Sequence, residues 1–354
     1  MHFTPLLFAP KPSLSLTFDL GPVFHLMAGV SSSLLGHGKG DKLSHRFHSD
    51  GLKIETMRAK GIVLGSLVSA GLVLGGMLPL RAQPMVETHI YAVAHPDDWQ
   101  LFMNPSPYRS LMRLNKTVFL ILTAGDNGSK AENQGHAMPY YLACEAGSLR
   151  AMQFIVNSLA LTPVALSSGR VTIQGHELQR YQQGLAVMYF LRLPDGNFTG
   201  QGYFRNGFEG LTRALDGQNL PLHTVDNSTI YSQAQDLVST LSELVGREQH
   251  GRLAFHLPDP DPVHNPQDHP DHQAVGRIMQ QVARTKPCSS QTLYVDYASN
   301  RQPPNVTGPE LWIDIGTWAA TTTALGENGF PTTWDLVHNS WVGRHYFREL
   351  PSIC

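Results

Sequence analysis

Beyond residue 86 the chain alternates two kinds of apolar spacing. Runs in which nearly every position is apolar, HIYAVA (89 to 94), TVFLILTA (117 to 124), AVMYFLRL (186 to 193), RLAFHL (252 to 257) and TLYVDYA (292 to 298), predict strands buried on both faces. Between them, apolar residues recur at intervals of three and four, the helical spacing. One helix is predicted over residues 140 to 158. In a second, Ser232 and Gln235 form a capping box ahead of Ala234, Leu237, Val238, Leu241, Leu244 and Val245. A third begins near Asp271 and buries Ala274, Val275, Ile278, Met279 and Val282. Strands and helices taking turns in this way predict an α/β protein with a mostly parallel sheet between two helical layers. No internal repeat interrupts the pattern, and the 272 residues from 83 to the end suit one domain with elaborated loops.

The first 82 residues follow different rules. Residues 1 to 56 have no clear periodicity and read as a non-native or disordered extension ahead of an internal start at Met57. From Met57, Arg58 and Lys60 supply a positive start, residues 61 to 80 carry no charge, and Leu80-Arg81-Ala82 ends in a small residue suited to cleavage. Residues 57 to 82 therefore read as an export signal. A retained membrane anchor is the competing reading, because 20 uncharged residues are long enough to cross a bilayer. Five glycines in that stretch weaken the helix and favour cleavage, which places the domain 83 to 354 in the periplasm or outside the cell.

Charge removes one class of partner. Residues 1 to 82 hold 8 Lys+Arg against 4 Asp+Glu, leaving 18 against 24 for the remainder, so the folded part offers no basic field for nucleic acid. Apolar residues make up 42% of the chain and charged residues 15%, enough to build a large core. Of three cysteines, Cys288 and Cys354 are the pair that an oxidising compartment would join, with Cys144 left inside a helix as a small apolar residue. There is no CxxC spacing to hold a cysteine zinc site.

Candidate chemistry gathers where two strands end. YAVAHPDDWQ (91 to 100) breaks from an apolar run into His95, Pro96, Asp97 and Asp98, and the loop after RLAFHL leads into DHPDHQAVG (268 to 276). In a Rossmann-like three-layer fold, ligands bind at the carboxyl ends of the parallel strands, so the two clusters should meet. Two imidazoles and a carboxylate suit a divalent metal and leave positions open for water. His95, Asp98 and His272 are assigned as the ligands. Zinc is preferred, with ferrous iron or another divalent ion left open. Asp97, adjacent to a ligand, would take the proton of the activated water, and His269, read as a protonated imidazole, would stabilise an oxyanion and help protonate a departing amine.

These residues resemble the PIG-L or LmbE-like metal-dependent N-deacetylases, which act on N-acetylated sugars. The likeness rests on AHPDD (94 to 98) and HPDH (269 to 272), with LTAGDNG (122 to 128), YYLACEAGSLRAM (140 to 152) and FLRLPDGN (190 to 197) between them. It implies metal on His95, Asp98 and His272, Asp97 as base, His269 assisting, and Asp195 of the LPDG turn contacting sugar hydroxyls. FMNP (102 to 105) after the aspartates is closest to the exported subgroup. Two positions depart from the pattern: Trp99 stands where many relatives have an acid, and Cys144 where many have Arg. Trp99 is either a wall at the pocket rim that contacts substrate or simple core. The expected function is a zinc-dependent hydrolase that frees the nitrogen of an N-acetylamino sugar or glycoconjugate. The alternative is a metal-containing glycan-binding protein that has lost turnover. A membrane enters only through an uncleaved N-terminal segment.

Overall fold

The computed structural model describes residues 87 to 218, 221 to 352 and 354, so the extension 1 to 56 and the export segment 57 to 82 lie outside the described residues. An eight-stranded sheet forms the middle layer. In spatial order it runs β10 (Phe347–Leu350), β9 (Ser290–Tyr294), β8 (Arg252–Pro258), β1 (Glu87–Val93), β2 (Lys116–Thr123), β5 (Ala186–Leu193), β4 (His176–Gln183) and β3 (Leu166–Ile173). The five strands from β9 to β5 are parallel, and the outer strands pair antiparallel. Between β5 and residue 234 come a short helix, α3 (Leu211–Leu215), and a separate antiparallel pair, β6 (Leu222–His223) and β7 (Ile230–Tyr231).

Strict alternation explains why the central strands read as unbroken apolar runs. Ile90 and Ala92 of β1, Val118, Leu120 and Leu122 of β2, and Val187, Tyr189 and Leu191 of β5 face one side. There they pack against Leu237, Leu241 and Val245 of α4 (Ala234–Glu248) and Ala274, Ile278 and Val282 of α5 (Pro270–Arg284). Tyr91, Val93, Phe119, Ile121, Met188 and Phe190 face the other side, against Leu111 of α1 (Ser106–Met112) and Ala151, Met152 and Ile155 of α2 (Tyr140–Leu159). Both faces are apolar because both are covered. α6 (Gly308–Glu327) packs on α2 outside this layer. Among the described residues, no helix is long and apolar enough to cross a membrane.

The expected strands and helices are present, joined by α1, α6 and β10, which the apolar pattern does not announce, and three further differences are local. β9 stops at Tyr294, and residues 297 to 301 form a 3-10 turn in place of the last part of the expected strand. The capping box at Ser232 is not made: α4 starts at Ala234, and the Asp236 carboxylate accepts the Ser232 N–H. An acid in the third helical position does what Gln235, one residue too early, is not placed to do. Finally, β3, β4 and the tight Gln174-Gly175 turn between them, both residues at positive φ, lie in a polar stretch with no apolar periodicity to announce them. Cys288 and Cys354 form a disulfide, and Cys144 is free.

Candidate metal centre

All five parallel strands deliver polar side chains to one cavity or its immediate surround at their carboxyl ends. β1 leads into His95, Asp97 and Asp98; β2 into Asp126; β5 into Asp195; β8 into Asp268, His269 and His272; β9 into Asp296 and Tyr297. The cavity, about 410 Å³, is lined by His95, Asp97, Asp98, Asp195, His269 and aromatic walls that include Tyr297 and Trp341.

At its floor three atoms crowd together. His95 Nδ1 lies 3.2 Å from His272 Nε2, and Asp98 Oδ1 lies 3.4 Å from the first and 3.1 Å from the second. The polar groups behind them orient these atoms. His272 Nδ1 donates to Asp268 Oδ1 at 2.8 Å, which turns a lone pair on Nε2 inward. His95 turns its Nε2 toward Asp271 Oδ2 at 3.6 Å, which leaves Nδ1 facing the cluster. Asp98 Oδ2 accepts the His95 backbone N–H at 2.6 Å, and its other oxygen completes the trio.

In their unprotonated forms these atoms are three electron-pair donors that repel one another unless a cation lies between them. Donors about 2.0–2.2 Å from a tetrahedral ion stand about 3.4 Å apart, so the observed spacing fits. The electrostatics agree. Burial works against charge on His95, but the carboxylates of Asp98 and Asp271 outweigh it and hold its pKa well above the usual imidazole range. His272 behaves alike under Asp268 and Asp98, while the two imidazoles overcome burial to hold the Asp98 carboxyl far below its ordinary value. This pocket is built for positive charge. His95, His269 and His272 form a further grouping of metal-binding type, as do Asp268, His272 and Asp296.

Residues 90 to 283 match the family described as PIG-L: GlcNAc-PI de-N-acetylase. The chain belongs to the PIG-L family. No curated protein matches it. Among solved structures, it is similar to N,N'-diacetylchitobiose deacetylase from Pyrococcus horikoshii, with 13% identity over 76% of this chain and 85% of that one and a TM-score of 0.42. It is also similar to the zinc inhibited form of teicoplanin deacetylase Orf2, at 10% identity over 67% and 84% with a TM-score of 0.39. A third likeness is to the A40926 pseudoaglycone deacetylase Dbv21, at 13% identity over 76% and 97% with a TM-score of 0.37.

Within this PIG-L domain the remaining residues singled out from sequence fall into place unequally. Asp97 lines the cavity beside the trio, its carboxyl pushed up by burial and then by the charge of Asp98. Asp195 also lines it; Oδ1 accepts the Asn197 N–H at 2.7 Å, and burial raises its carboxyl to about 6. His269 is in the cavity wall, but the expected protonated imidazole is corrected. Its Nδ1 accepts the Asp271 N–H at 3.1 Å as the N-cap of α5, and burial, reinforced by the charges of His95 and His272, drives its pKa down to about 2. It is a neutral ring with its proton on Nε2. Trp99 is corrected as a rim residue: it is fully buried, donates from Nε1 to Ser148 Oγ at 2.9 Å and packs on Phe119. Its place in the wall is closed because the side chain follows the core face of β1 and β2.

Several residues of the site carry no signal that sequence reasoning used. Asp268 orients His272 from four positions upstream, a helical spacing that could have revealed it. Asp296 stands 3.3 Å from the same Nδ1, just past β9, where a carboxylate at a strand end has the same logic as the opening motif. Its carboxyl is raised to about 8, by burial first and by Asp268 next. Glu145, beside Cys144, is held by a two-pronged bond from Arg192 at 2.7 and 2.8 Å, so the neighbour of the departing position serves the scaffold.

Proposed function

We propose that this PIG-L protein is a divalent-metal-dependent N-deacetylase that hydrolyses the acetamide, or a longer acyl amide, of an amino sugar. Membership of the family supports deacetylation. The observation that carries the reading is the convergence of His95 Nδ1, Asp98 Oδ1 and His272 Nε2 within 3.1 to 3.4 Å of one another, beside Asp97 in the cavity wall. His95, Asp98 and His272 would hold the ion, with zinc the preferred identity. Such an ion supplies Lewis acidity, making water easier to deprotonate and an acyl carbonyl more electrophilic.

The chain's own residues do the rest. Asp97 accepts the proton of the attacking water, a task helped by a carboxyl more basic than usual. His269, neutral with Nε2–H, donates a hydrogen bond to the oxyanion that develops on the acyl oxygen. Asp195 is assigned to sugar hydroxyls on the same reading. Export belongs to it as well, supported by the pattern of residues 57 to 82 and by a disulfide of the kind that persists in oxidising compartments.

The test is Asp97→Asn. Acetate release from methyl N-acetylglucosaminide should fall by about 10²–10⁴-fold while bound zinc, measured by elemental analysis, stays at the wild-type level. Unchanged turnover in the variant rejects Asp97 as the base.

A further inference from the structure

The family match ends at residue 283, yet part of the cavity wall comes from residues 297 to 341. One of these is an imidazole whose geometry is fixed on three sides. His338 Nδ1 lies 3.0 and 2.9 Å from the two oxygens of Asp335, whose carboxylate also accepts the backbone N–H groups of Val337 and His338. The ring stacks on Trp318 at 5.8 Å and meets Trp341 edge-on at 5.9 Å, and both tryptophans are buried. With Nδ1 committed to Asp335, Nε2 is the nitrogen that remains for the cavity His338 lines together with Asp97 and His269.

Amide hydrolysis needs such a group. An amine nitrogen leaves only when it receives a proton, and His269 is poorly suited to give one: its Nδ1 already accepts a backbone N–H, so loss of the Nε2 proton would leave an imidazolate. An imidazole held at one nitrogen by a carboxylate keeps its other nitrogen in a fixed place from which a proton can be handed on.

Resting on the deacetylase reading above, we propose that His338 is a catalytic residue whose Nε2 delivers a proton to the departing amine, with Asp335 as its positioning residue. The water oxygen bonds to the acyl carbon as Asp97 takes one water proton. The C–N bond then breaks, its electron pair stays on nitrogen, and the Nε2 proton moves to that nitrogen. A carboxylic acid and a free amine result. The proton held by Asp97 passes to solvent, and His338, about a third exposed, regains one from solvent.

The experiment compares leaving groups in the zinc-loaded full-length protein. For methyl N-acetylglucosaminide, whose amine must be protonated to leave, His338→Gln should lower kcat by about 10²–10³-fold with little change in KM. For p-nitrophenyl acetate, whose phenolate leaves without a proton, the loss should shrink below about tenfold. Asp335→Asn should show the same selective loss at smaller amplitude, with zinc content and thermal midpoint of both variants at wild-type levels. Equal losses on the two substrates, or no loss on the amide, overturn the assignment. A wild type that cleaves neither substrate overturns the deacetylase reading itself, and the proton-donor role falls with it.

Discussion

Single side chains show how much of this site was readable in advance. His95, Asp98 and His272 announce themselves as metal-binding types at two predicted strand ends, and the fold brings their inward atoms together. Asp296 was hidden because the run containing it looks like continuing strand, whereas the chain has already turned away after Tyr294. Trp99 illustrates the converse: an aromatic next to a ligand looks the same in sequence whether it faces substrate or, as here, Ser148 and Phe119. The carboxylate behind a ligating histidine fixes its tautomer and strengthens it as a donor. Asp268→Asn, which keeps an acceptor for His272 Nδ1 but removes the charge, should therefore weaken zinc binding by about 10–100-fold. Competition against a chromophoric chelator measures this, and an undiminished affinity would remove Asp268 from the account.

At the scale of elements, α5 matters because its first turn carries His272 and its second rests on the end of β8. Gly276 permits that approach: a Cβ there would stand 2.5 Å from the Pro258 carbonyl oxygen and 3.0 Å from the Pro260 ring. Alanine is the better helix former by up to about 1 kcal/mol, but overpacking against backbone costs about 1–3 kcal/mol. Gly276→Ala should thus lower stability in urea and, by shifting α5, weaken zinc binding as well. A more stable variant would show that the contact is not tight. The helices α2 and α5 and the central strands were legible because two-sided burial leaves a strong apolar pattern. The β3–β4 hairpin was not, since its edge faces water and its residues are chiefly polar. α6 escaped for another reason: its buried residues include Asp314, Thr317, Thr321 and Thr322, which blur the apolar stripe.

Taken as a whole, the molecule also buries neutral imidazoles other than those of the cavity, and these tie its stability to pH. His345 is buried, bonded through Nε2 to Ser106 Oγ at 2.9 Å, and burial together with Arg109 depresses its pKa to about 4. His256, between His89 and Tyr294, is held well below the usual range by burial and by its histidine neighbours. The unfolded chain takes up protons at such residues from about pH 6.5 downward while the native protein does not. Their contribution to stability is therefore complete above about pH 6.5 and is lost as pH falls toward the folded value. His345→Gln, which can still bond Ser106, removes one of these groups. Between pH 7 and 4.5 the wild type should lose about 2–3 kcal/mol more than the variant in urea unfolding. Parallel losses would refute the linkage.

Although Tyr140 and Cys144 of α2 and Val337, His338 and Trp341 after α6 complete the cavity, its polar residues and their supports come mainly from the ends of five separate strands, so those strand-end walls need not share a loop. Each strand-end wall is anchored in hydrogen-bonded sheet on one side, so its outer loop can be changed without re-registering the strands below. On the deacetylase reading proposed above, the floor that would hold an ion and the rim that would face substrate are thus separable modules, and a change of rim could alter the acylated amine accepted while the floor stays as it is.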